Sequence, residues 1–312
     1  MNNNFEEAFN KSKFILMEGG LGERLKREYK LNGDENIALA SHIYNSEGKA
    51  ALGELFRQYF EIGKKYNTPL MVTTTTRRAN KERISKSIYK DKNVIEDNVK
   101  FLMNLREEVD NEIYIGGLMG CKGDAYSKDG HLSTEEAFEF HLWQAEQFKK
   151  SKVDYLFAGI MPTLPEAIGM AKAMEATGLP YIISFMIRKD GCLLDGTTIN
   201  DAIIKIDGYV KRKPIFYMTN CVHPRILNEG LSKDYNNTEA VKKRFKGIQA
   251  NTSMLSPEEL DNSTELKTSD SISLAEDMIE LYKKFNLKIF GGCCGTDNTH
   301  IDEIGKRLKE LL

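Results

Sequence analysis

The sequence predicts an α/β protein, a single (β/α)8 TIM barrel formed by residues 1–312. Short apolar runs alternate with helical patterns eight times along the chain, and this alternation is typical of a parallel sheet covered by helices. Glycines and polar residues recur where the apolar runs end, as they do at the active-site face of a closed barrel. A length of 312 residues is ordinary for one such barrel.

The alternative architecture is a doubly wound open sheet, which is also built from alternating strands and helices. Many such sheets carry a Gly-x-Gly-x-x-Gly turn after the first strand. Here the first apolar run ends in Met17-Glu18-Gly19-Gly20-Leu21-Gly22, which does not have that spacing. We therefore expect a closed barrel.

Eight apolar runs are predicted to form strands, and they are bounded by glycine, proline or polar residues. Several are apolar throughout rather than alternating, which favours strands that are covered on both faces. In chain order they span residues 14–17, 70–72, 113–115, 153–160, 181–187, 214–218, 247–250 and 287–290.

The stretches between and after these runs have helical periodicity, with apolar residues every three or four positions. Ser133, followed by Glu135 and Glu136, is predicted to cap the start of one helix. Residues 251–271, rich in Ser, Thr, Asn and Asp, form the longest predicted loop, and we expect them to cover one end of the barrel. The predicted helices span residues 21–29, 47–66, 94–109, 133–150, 165–176, 198–206, 238–245, 274–285 and 300–311.

The composition is that of a globular protein, with 41% hydrophobic and 29% charged residues. Lys and Arg number 44 and Asp and Glu number 46, a net charge of −2, so we expect neither nucleic acid nor a membrane as partner. The N-terminal residues lack the pattern of a signal peptide. Five scattered cysteines argue against a disulfide framework and favour a reducing cytoplasm. None of these features indicates an oligomeric state.

Three cysteines follow predicted strands and suggest a metal site. Cys293 and Cys294 are adjacent within Gly291-Gly292-Cys293-Cys294-Gly295-Thr296, after the last strand, and Cys221 follows the sixth. Thiolates that meet at one point are typical ligands of a soft metal ion, of which zinc is the commonest. The spacing is not that of a paired Cys-x-x-Cys site, so buried core cysteines or a vicinal disulfide remain alternatives.

Because the carboxyl ends of barrel strands share one face, we expect the polar residues at those ends to converge into one site. The residues in question are Glu18, Thr73–Thr76, Cys121, Cys221, Cys293 and Cys294.

The chain resembles the homocysteine S-methyltransferase family from one end to the other. The paired-cysteine motif with Asn220-Cys221 is similar to the zinc signature of that family, and Met17–Gly22 is similar to its opening strand. Leu193-Leu194-Asp195-Gly196-Thr197 resembles the segment after its fifth strand. The resemblance implies that Cys221, Cys293 and Cys294 bind zinc, and that Cys121 and Cys192 take no part.

The implied chemistry is methyl transfer to a thiol. Three cysteinates leave one position on zinc open, and a substrate thiol bound there loses its proton and can attack a methyl group. The resemblance places Glu18 near the amino group of the substrate, and Gly19 and Gly20 near its carboxylate. Because no length is left for a folate or corrinoid module, we expect a small donor such as S-methylmethionine, S-adenosylmethionine or a betaine.

Two departures from the family pattern concern substrate recognition. The family has a glutamate after its fourth strand that holds the amine of homocysteine, and Ala158 stands in its place here. Thr74–Thr76 replace Thr-Asn-Thr and are followed by Arg77 and Arg78, which suggest an anionic group on a substrate. These changes predict weak use of homocysteine. Alternative functions are a zinc- or redox-responsive binding protein that uses Cys293 and Cys294, or a non-catalytic barrel.

Overall fold

The structure is a computed structural model that describes residues 4–127, 130–254 and 269–312. Within those residues, eight parallel strands close into a barrel in sequence order, and the first strand pairs with both the second and the eighth. The predicted (β/α)8 barrel is confirmed, and the open sheet is wrong. The strands are β1 (Ile15–Met17), β2 (Leu70–Thr73), β3 (Ile113–Met119), β4 (Tyr155–Met161), β5 (Tyr181–Phe185), β6 (Tyr217–Val222), β7 (Phe245–Ala250) and β8 (Ile289–Gly292).

Helices pack around the outside of the barrel, and each predicted helix has a counterpart. A 3-10 helix at Leu39–Tyr44 precedes the longest of them. The helices are α1 (Phe5–Lys11), α2 (Gly22–Glu28), α3 (Ser46–Tyr66), α4 (Lys81–Lys86), α5 (Val94–Glu107), α6 (Thr134–Ser151), α7 (Leu164–Thr177), α8 (Ile199–Tyr209), α9 (Pro224–Ser232), α10 (Glu239–Arg244), α11 (Ser271–Phe285) and α12 (Asn298–Glu310).

The sequence pattern missed the short helices α1, α4 and α9, because elements of two turns or so show too little periodicity. The predicted start of α6 is confirmed. The Ser133 hydroxyl accepts a hydrogen bond from the Glu136 N–H, and the Glu136 carboxylate accepts one from the Ser133 N–H. This reciprocal pair is the capping box that the spacing of the two residues favours.

Strand β3 is longer than predicted, because its two glycines lie inside the strand and do not end it. A Cβ atom on Gly116 would lie 2.4 Å from the ring of Tyr155, and one on Gly117 would lie 2.6 Å from the ring of Phe148. Both glycines therefore make room for aromatic side chains on the two faces of the sheet. Sequence alone could not separate this use of glycine from a turn.

Apolar side chains form two layers, one inside the barrel and one between the strands and the helices. Helix α1 covers the end of the barrel where the strands begin. Its Phe5 stacks on Tyr155 with ring centroids 4.6 Å apart, and Phe9 stacks on Phe216 at 4.7 Å. The carboxyl ends of the strands, at the opposite end, are thus left for a binding site.

The predicted loop at residues 251–271 lies mostly outside the described residues, and α11 begins at its last position, Ser271. The side chain of Asp270 caps α11 by accepting hydrogen bonds from the N–H groups of Ile272 and Ser273. Among the helices in the described ranges, none is both long enough and apolar enough to cross a membrane.

Candidate active site

A cavity of about 450 Å³ lies at the carboxyl ends of the strands. Its walls come mainly from residues at or just after β1, β2, β3, β4, β6, β7 and β8. Most of the residues expected to converge line it: Glu18, Thr73, Thr74, Thr75, Cys221, Cys293 and Cys294. The two glycines and two arginines singled out for substrate contacts, Gly19, Gly20, Arg77 and Arg78, line it as well.

The three cysteines predicted as ligands come together at this cavity. Their sulfur atoms all lie within 4.8 Å of one another, and Sγ of Cys221 is 3.4 Å from Sγ of Cys294. All three are half-buried free thiols. Within the described part of the chain, no other group of three His, Cys, Asp or Glu residues brings its ligand atoms as close.

Cys221 reaches the cluster through an unusual backbone conformation. Its φ angle is +59°, in the left-handed region that residues other than glycine rarely adopt. The pairing of β6 with β7 also shifts register between Asn220 and Val222, so Cys221 is the extra residue of a bulge. Bulges redirect a side chain and are frequent beside active sites.

Cys293 and Cys294 lie in a tight turn that requires its glycines. A Cβ atom on Gly292 would lie 2.1 Å from Oγ1 of Thr296, and Gly295 has φ +80°. The Thr296 hydroxyl donates to the carbonyl of Cys293 at 2.8 Å, which closes the turn. The two adjacent thiols therefore face the same point because the backbone turns sharply on both sides of them.

The three cysteine thiols shift one another's pKa values. The pKa of Cys221 lies well below its ordinary value because its sulfur accepts hydrogen bonds from Cys293 and Cys294. The pKa values of Cys293 and Cys294 are raised, in each case chiefly by the hydrogen bond with Cys221. The three thiols therefore do not titrate independently of one another.

Two further residues contact the Cys221 sulfur, and sequence reasoning missed both. Nδ2 of Asn251, just after β7, donates to Sγ of Cys221 at 3.7 Å. The Tyr126 hydroxyl, from the segment after β3, also lowers the pKa of Cys221 through a hydrogen bond. The only sequence signal for Asn251 was its place at a strand end, and Tyr126 lies within an irregular loop.

Glu18 is buried at the wall of the cavity with one oxygen satisfied. Its Oε1 accepts hydrogen bonds from the Thr73 N–H at 3.1 Å and from the Thr73 hydroxyl at 2.6 Å. Its Oε2 has no hydrogen-bond partner among the residues that the structure describes. Burial raises the pKa of Glu18 to about 7. This carboxyl group can therefore accept a donor from a ligand in the cavity.

Gly19 and Gly20 both line the cavity, but the second already has a partner. The Gly20 N–H donates to Oγ1 of Thr296 at 3.0 Å, so the expected contact of this N–H with a substrate carboxylate is not available. A Cβ atom on Gly20 would lie 2.5 Å from the carbonyl oxygen of Cys293. Gly20 thus allows the turn after β1 to pack against the cysteine turn.

Ala158 and Gly159 lie on opposite faces of β4. Ala158 is fully buried in the layer between strands and helices, whereas Gly159 lines the cavity beside Leu118. The interpretation of Ala158 as the place of the missing acid is wrong, because successive residues of a strand face opposite sides. Gly159 is the position that faces the cavity, and β4 presents no carboxylate there.

Cys121 and Thr76 do not join the cavity as expected. Cys121 lines a smaller adjoining cavity, where its Sγ donates to the Gly123 carbonyl at 3.4 Å. Thr76 is fully buried, and its hydroxyl donates to the Leu118 carbonyl at 2.9 Å. Cys192 is buried in the connection after β5, with its Sγ 3.9 Å from the Asp190 carbonyl. His223 caps α9, since its Nδ1 accepts from the Arg225 N–H at 3.2 Å.

A chain of polar side chains links three strands beneath the cavity, and sequence reasoning missed two of its members. The Ser184 hydroxyl donates to the Asn220 carbonyl oxygen, and the Asn220 amide donates to Oε1 of Gln249. Ser184 interrupts a strand that is otherwise apolar, and Gln249 lies between the apolar residues Ile248 and Ala250. A polar residue among the apolar residues of a strand is the sequence signal that could have identified both side chains.

Comparisons with known proteins identify the family of the chain. Residues 15–308 match the family model of homocysteine S-methyltransferases. The chain is 23% identical to homocysteine S-methyltransferase 2 of Saccharomyces cerevisiae over 325 residues, which cover 97% of this chain and 96% of that protein.

Solved structures of the homocysteine methyltransferase MmuM from Escherichia coli have the same fold. The oxidised form has a TM-score of 0.77 and 18% identity, and the match covers 98% of this chain and 100% of that one. The metallated form has a TM-score of 0.76, also at 18% identity, with 96% and 98% covered. The family match spans nearly the whole barrel, and the chain therefore belongs to the homocysteine S-methyltransferase family and is a methyltransferase.

Proposed function

We propose that this protein is a zinc-dependent S-methyltransferase whose acceptor is a small thiol, either homocysteine or a related molecule. The single observation that carries the proposal is the group of three thiols at the wall of a substrate-sized cavity. With homocysteine as acceptor the product is methionine, and with another thiol it is the corresponding thioether.

The donor atoms fit zinc. Three sulfur ligands within 4.8 Å of one another suit a soft or borderline ion and do not suit magnesium or calcium. Cys221, Cys293 and Cys294 would hold the ion and leave one position for a fourth ligand. When bound, zinc lowers the pKa of a thiol in that position and keeps its sulfur nucleophilic at neutral pH. A metallated form of the Escherichia coli protein with this fold is consistent with the proposal.

The residues of the chain bind and orient the two substrates. In the transfer, an electron pair of the acceptor sulfur forms the new bond to the methyl carbon. The bond between that carbon and the donor breaks, and its electron pair leaves with the donor. The free Oε2 of Glu18 is placed to hold an ammonium group of the acceptor. Asn251 and Tyr126 orient the Cys221 sulfur.

The proposal extends to the donor, the compartment and the domain. The donor is small, of the S-methylmethionine, S-adenosylmethionine or betaine type. The three free thiols require a reducing environment, so we place the protein in the cytoplasm. Residues 1–312 act as a single barrel domain.

The metal content of the protein purified under reducing conditions tests the proposal. We expect one zinc per chain, with three sulfur neighbours at about 2.3 Å by X-ray absorption. Replacement of any one of Cys221, Cys293 and Cys294 by Ser is expected to remove the metal and the methyl transfer. The controls are Cys121→Ser and Cys192→Ser, which are expected to keep both.

Full zinc occupancy in Cys294→Ser would contradict the ligand assignment. The redox alternative makes a different prediction, since protein that binds no metal when reduced and forms a Cys293–Cys294 disulfide when oxidised would support it. The same preparation therefore separates the two functions.

A further inference from the structure

Two arginines at the edge of the cavity have no role in the proposed transfer. Arg77 and Arg78 follow β2 and line the cavity that contains the three thiols. They also line the small adjoining cavity, together with Arg83. Three arginine side chains therefore gather beside a cavity whose lining also includes the buried carboxyl group of Glu18.

These arginines lack the carboxylate partners that usually accompany clustered positive charge. Arg77 and Arg78 form no ion pair within the described ranges of the chain. Both residues are exposed to solvent. The pKa of Arg78 is lowered by partial burial and by repulsion from the positive charges of Arg83 and Arg77. Asp124 is the acid that offsets this repulsion, from a distance longer than an ion pair.

The packing holds the first arginine in place. A Cβ atom on Gly120 would lie 2.6 Å from Cγ of Arg77, so the end of β3 can pass over the aliphatic stem only because residue 120 is glycine. A guanidinium held in this way presents several N–H donors in a planar arrangement that matches a carboxylate, sulfonate or phosphate.

We infer that Arg77 and Arg78 form an anion-binding subsite, which selects a substrate carrying a carboxylate, sulfonate or phosphate group. The inference rests on the proposed function in one respect. The substrate held by the arginines is assumed to bring its sulfur or its methyl group to the three thiols. The anion belongs either to the acceptor thiol or to the methyl donor. Glu18 lines the same cavity, so the site as a whole favours a substrate that carries both a positive and a negative group.

Calorimetric titration of the purified protein tests the subsite with matched ligands. For the acceptor, mercaptopropionate is compared with its neutral isostere mercaptopropionamide. For the donor, a dimethylsulfonium bearing a carboxylate is compared with trimethylsulfonium. The variants are Arg77→Gln, Arg78→Gln and the double variant. Arg57→Gln is the control, because Arg57 is an exposed arginine paired with Glu108 and does not line the cavity.

We expect each single substitution to weaken binding of the anionic ligand by about three- to tenfold, since these guanidinium groups are partly screened by water. Binding of the neutral or purely cationic isostere is expected to stay the same, and Arg57→Gln is expected to change neither. The affinity for the anion is also expected to fall as salt is raised.

The pattern of losses identifies the source of the anion. A loss confined to the mercaptopropionate series assigns the subsite to the acceptor, and a loss confined to the sulfonium series assigns it to the donor. Equal losses for anionic and neutral ligands, or no loss in either series, overturn the inference.

Inorganic phosphate binding to Cys294→Ser separates this inference from the proposed function. If the arginine subsite exists, phosphate binds to that variant as it does to the unmodified protein, whether or not zinc is present. Phosphate binding that is absent from both proteins, or unchanged by the double arginine substitution, contradicts the subsite while leaving the thiol cluster unaffected.

Discussion

The carboxyl group of Glu18 links the site to the pH dependence of stability. Because burial raises its pKa from 4.5 to about 7, the folded protein keeps a proton that the unfolded chain releases in this range. The free energy of unfolding is therefore expected to fall as the pH rises from 4.5 to about 7, by up to about 3 kcal/mol in total.

Glu18→Gln is expected to remove this decline, because the amide keeps an acceptor for Thr73 and does not ionise. The variant should therefore be more stable than the unmodified protein at pH values above about 7. Urea denaturation across this range measures the difference, with Glu139→Gln as control because Glu139 is exposed on α6. Parallel stability curves for Glu18→Gln and the unmodified protein would contradict the prediction.

Gly159 is the residue at which acceptor choice can be tested. Gly159→Glu is expected to improve kcat/KM for homocysteine relative to a thiol without an amine, because a charge-assisted hydrogen bond is worth roughly 1.5–3 kcal/mol, or about tenfold to a hundredfold. The Phe157 ring, 2.8 Å from the position of the new Cβ atom, must shift to admit the side chain. Efficient use of homocysteine by the unmodified protein that falls in Gly159→Glu would show that the amine has its partner elsewhere.

Ala158→Glu is the matched comparison on the other face of the same strand. Ala158 is fully buried among apolar side chains, so a carboxylate there has no partner and is expected to prevent stable folding. Circular dichroism and thermal unfolding of the two variants distinguish the faces, since only Gly159→Glu should yield a folded protein.

At the scale of elements, Glu166 of α7 ties the segment after β3 to the barrel. Its Oε1 accepts hydrogen bonds from the Lys122 N–H at 2.8 Å and from Nε2 of His141 on α6 at 3.2 Å. Nδ1 of His131 lies 3.5 Å from its Oε2. Although burial raises it, the pKa of Glu166 is lowered overall by the hydrogen bonds from His141 and Lys122. The segment held in this way carries Tyr126 to the cysteine cluster.

Glu166→Ala is expected to lower the free energy of unfolding by about 3–5 kcal/mol, because it removes one partner of a buried polar group. Because the folded-state pKa of Glu166 is depressed, this contribution is present above its unfolded pKa and is lost as the pH falls through the folded one. Urea denaturation measures the effect, with Glu139→Ala on the outer face of α6 as control. A change below about 1 kcal/mol would show that the segment is held by other contacts.

Across the whole molecule, the two ends of the barrel have separate tasks. Helix α1 closes the end where strands begin, and the site occupies the other. Phe5→Ala is expected to cost about 3–5 kcal/mol of stability, because it opens a cavity beside Tyr155 and Tyr114. Zinc content and KM should not change in the folded variant. Metal loss at a temperature where the variant is folded would show that the ends are coupled.

The local sequence pattern determined the fold class and the order of the strands and helices. The order of eight strands follows from apolar runs that alternate with amphipathic stretches, which depend only on near neighbours in the chain. The convergence of Cys221, Cys293 and Cys294 could also be predicted from the sequence, because the carboxyl ends of the strands of a closed barrel lie on one face. The start of α6 could be predicted because its capping motif, Ser133 and Glu136, spans only four residues of the chain.

Contacts between distant residues decided the rest. Ala158 faces the helices and Gly159 faces the cavity, because neighbouring residues of β4 point to opposite sides of the sheet. A motif aligned one residue out of register therefore assigns the wrong residue to the cavity. The Gly20 N–H is occupied by Thr296, 276 positions away, and Asn251 reaches the Cys221 sulfur from a different strand end. Such partners are set by the closing of the barrel and leave no periodic signal, so only the tertiary structure could assign them.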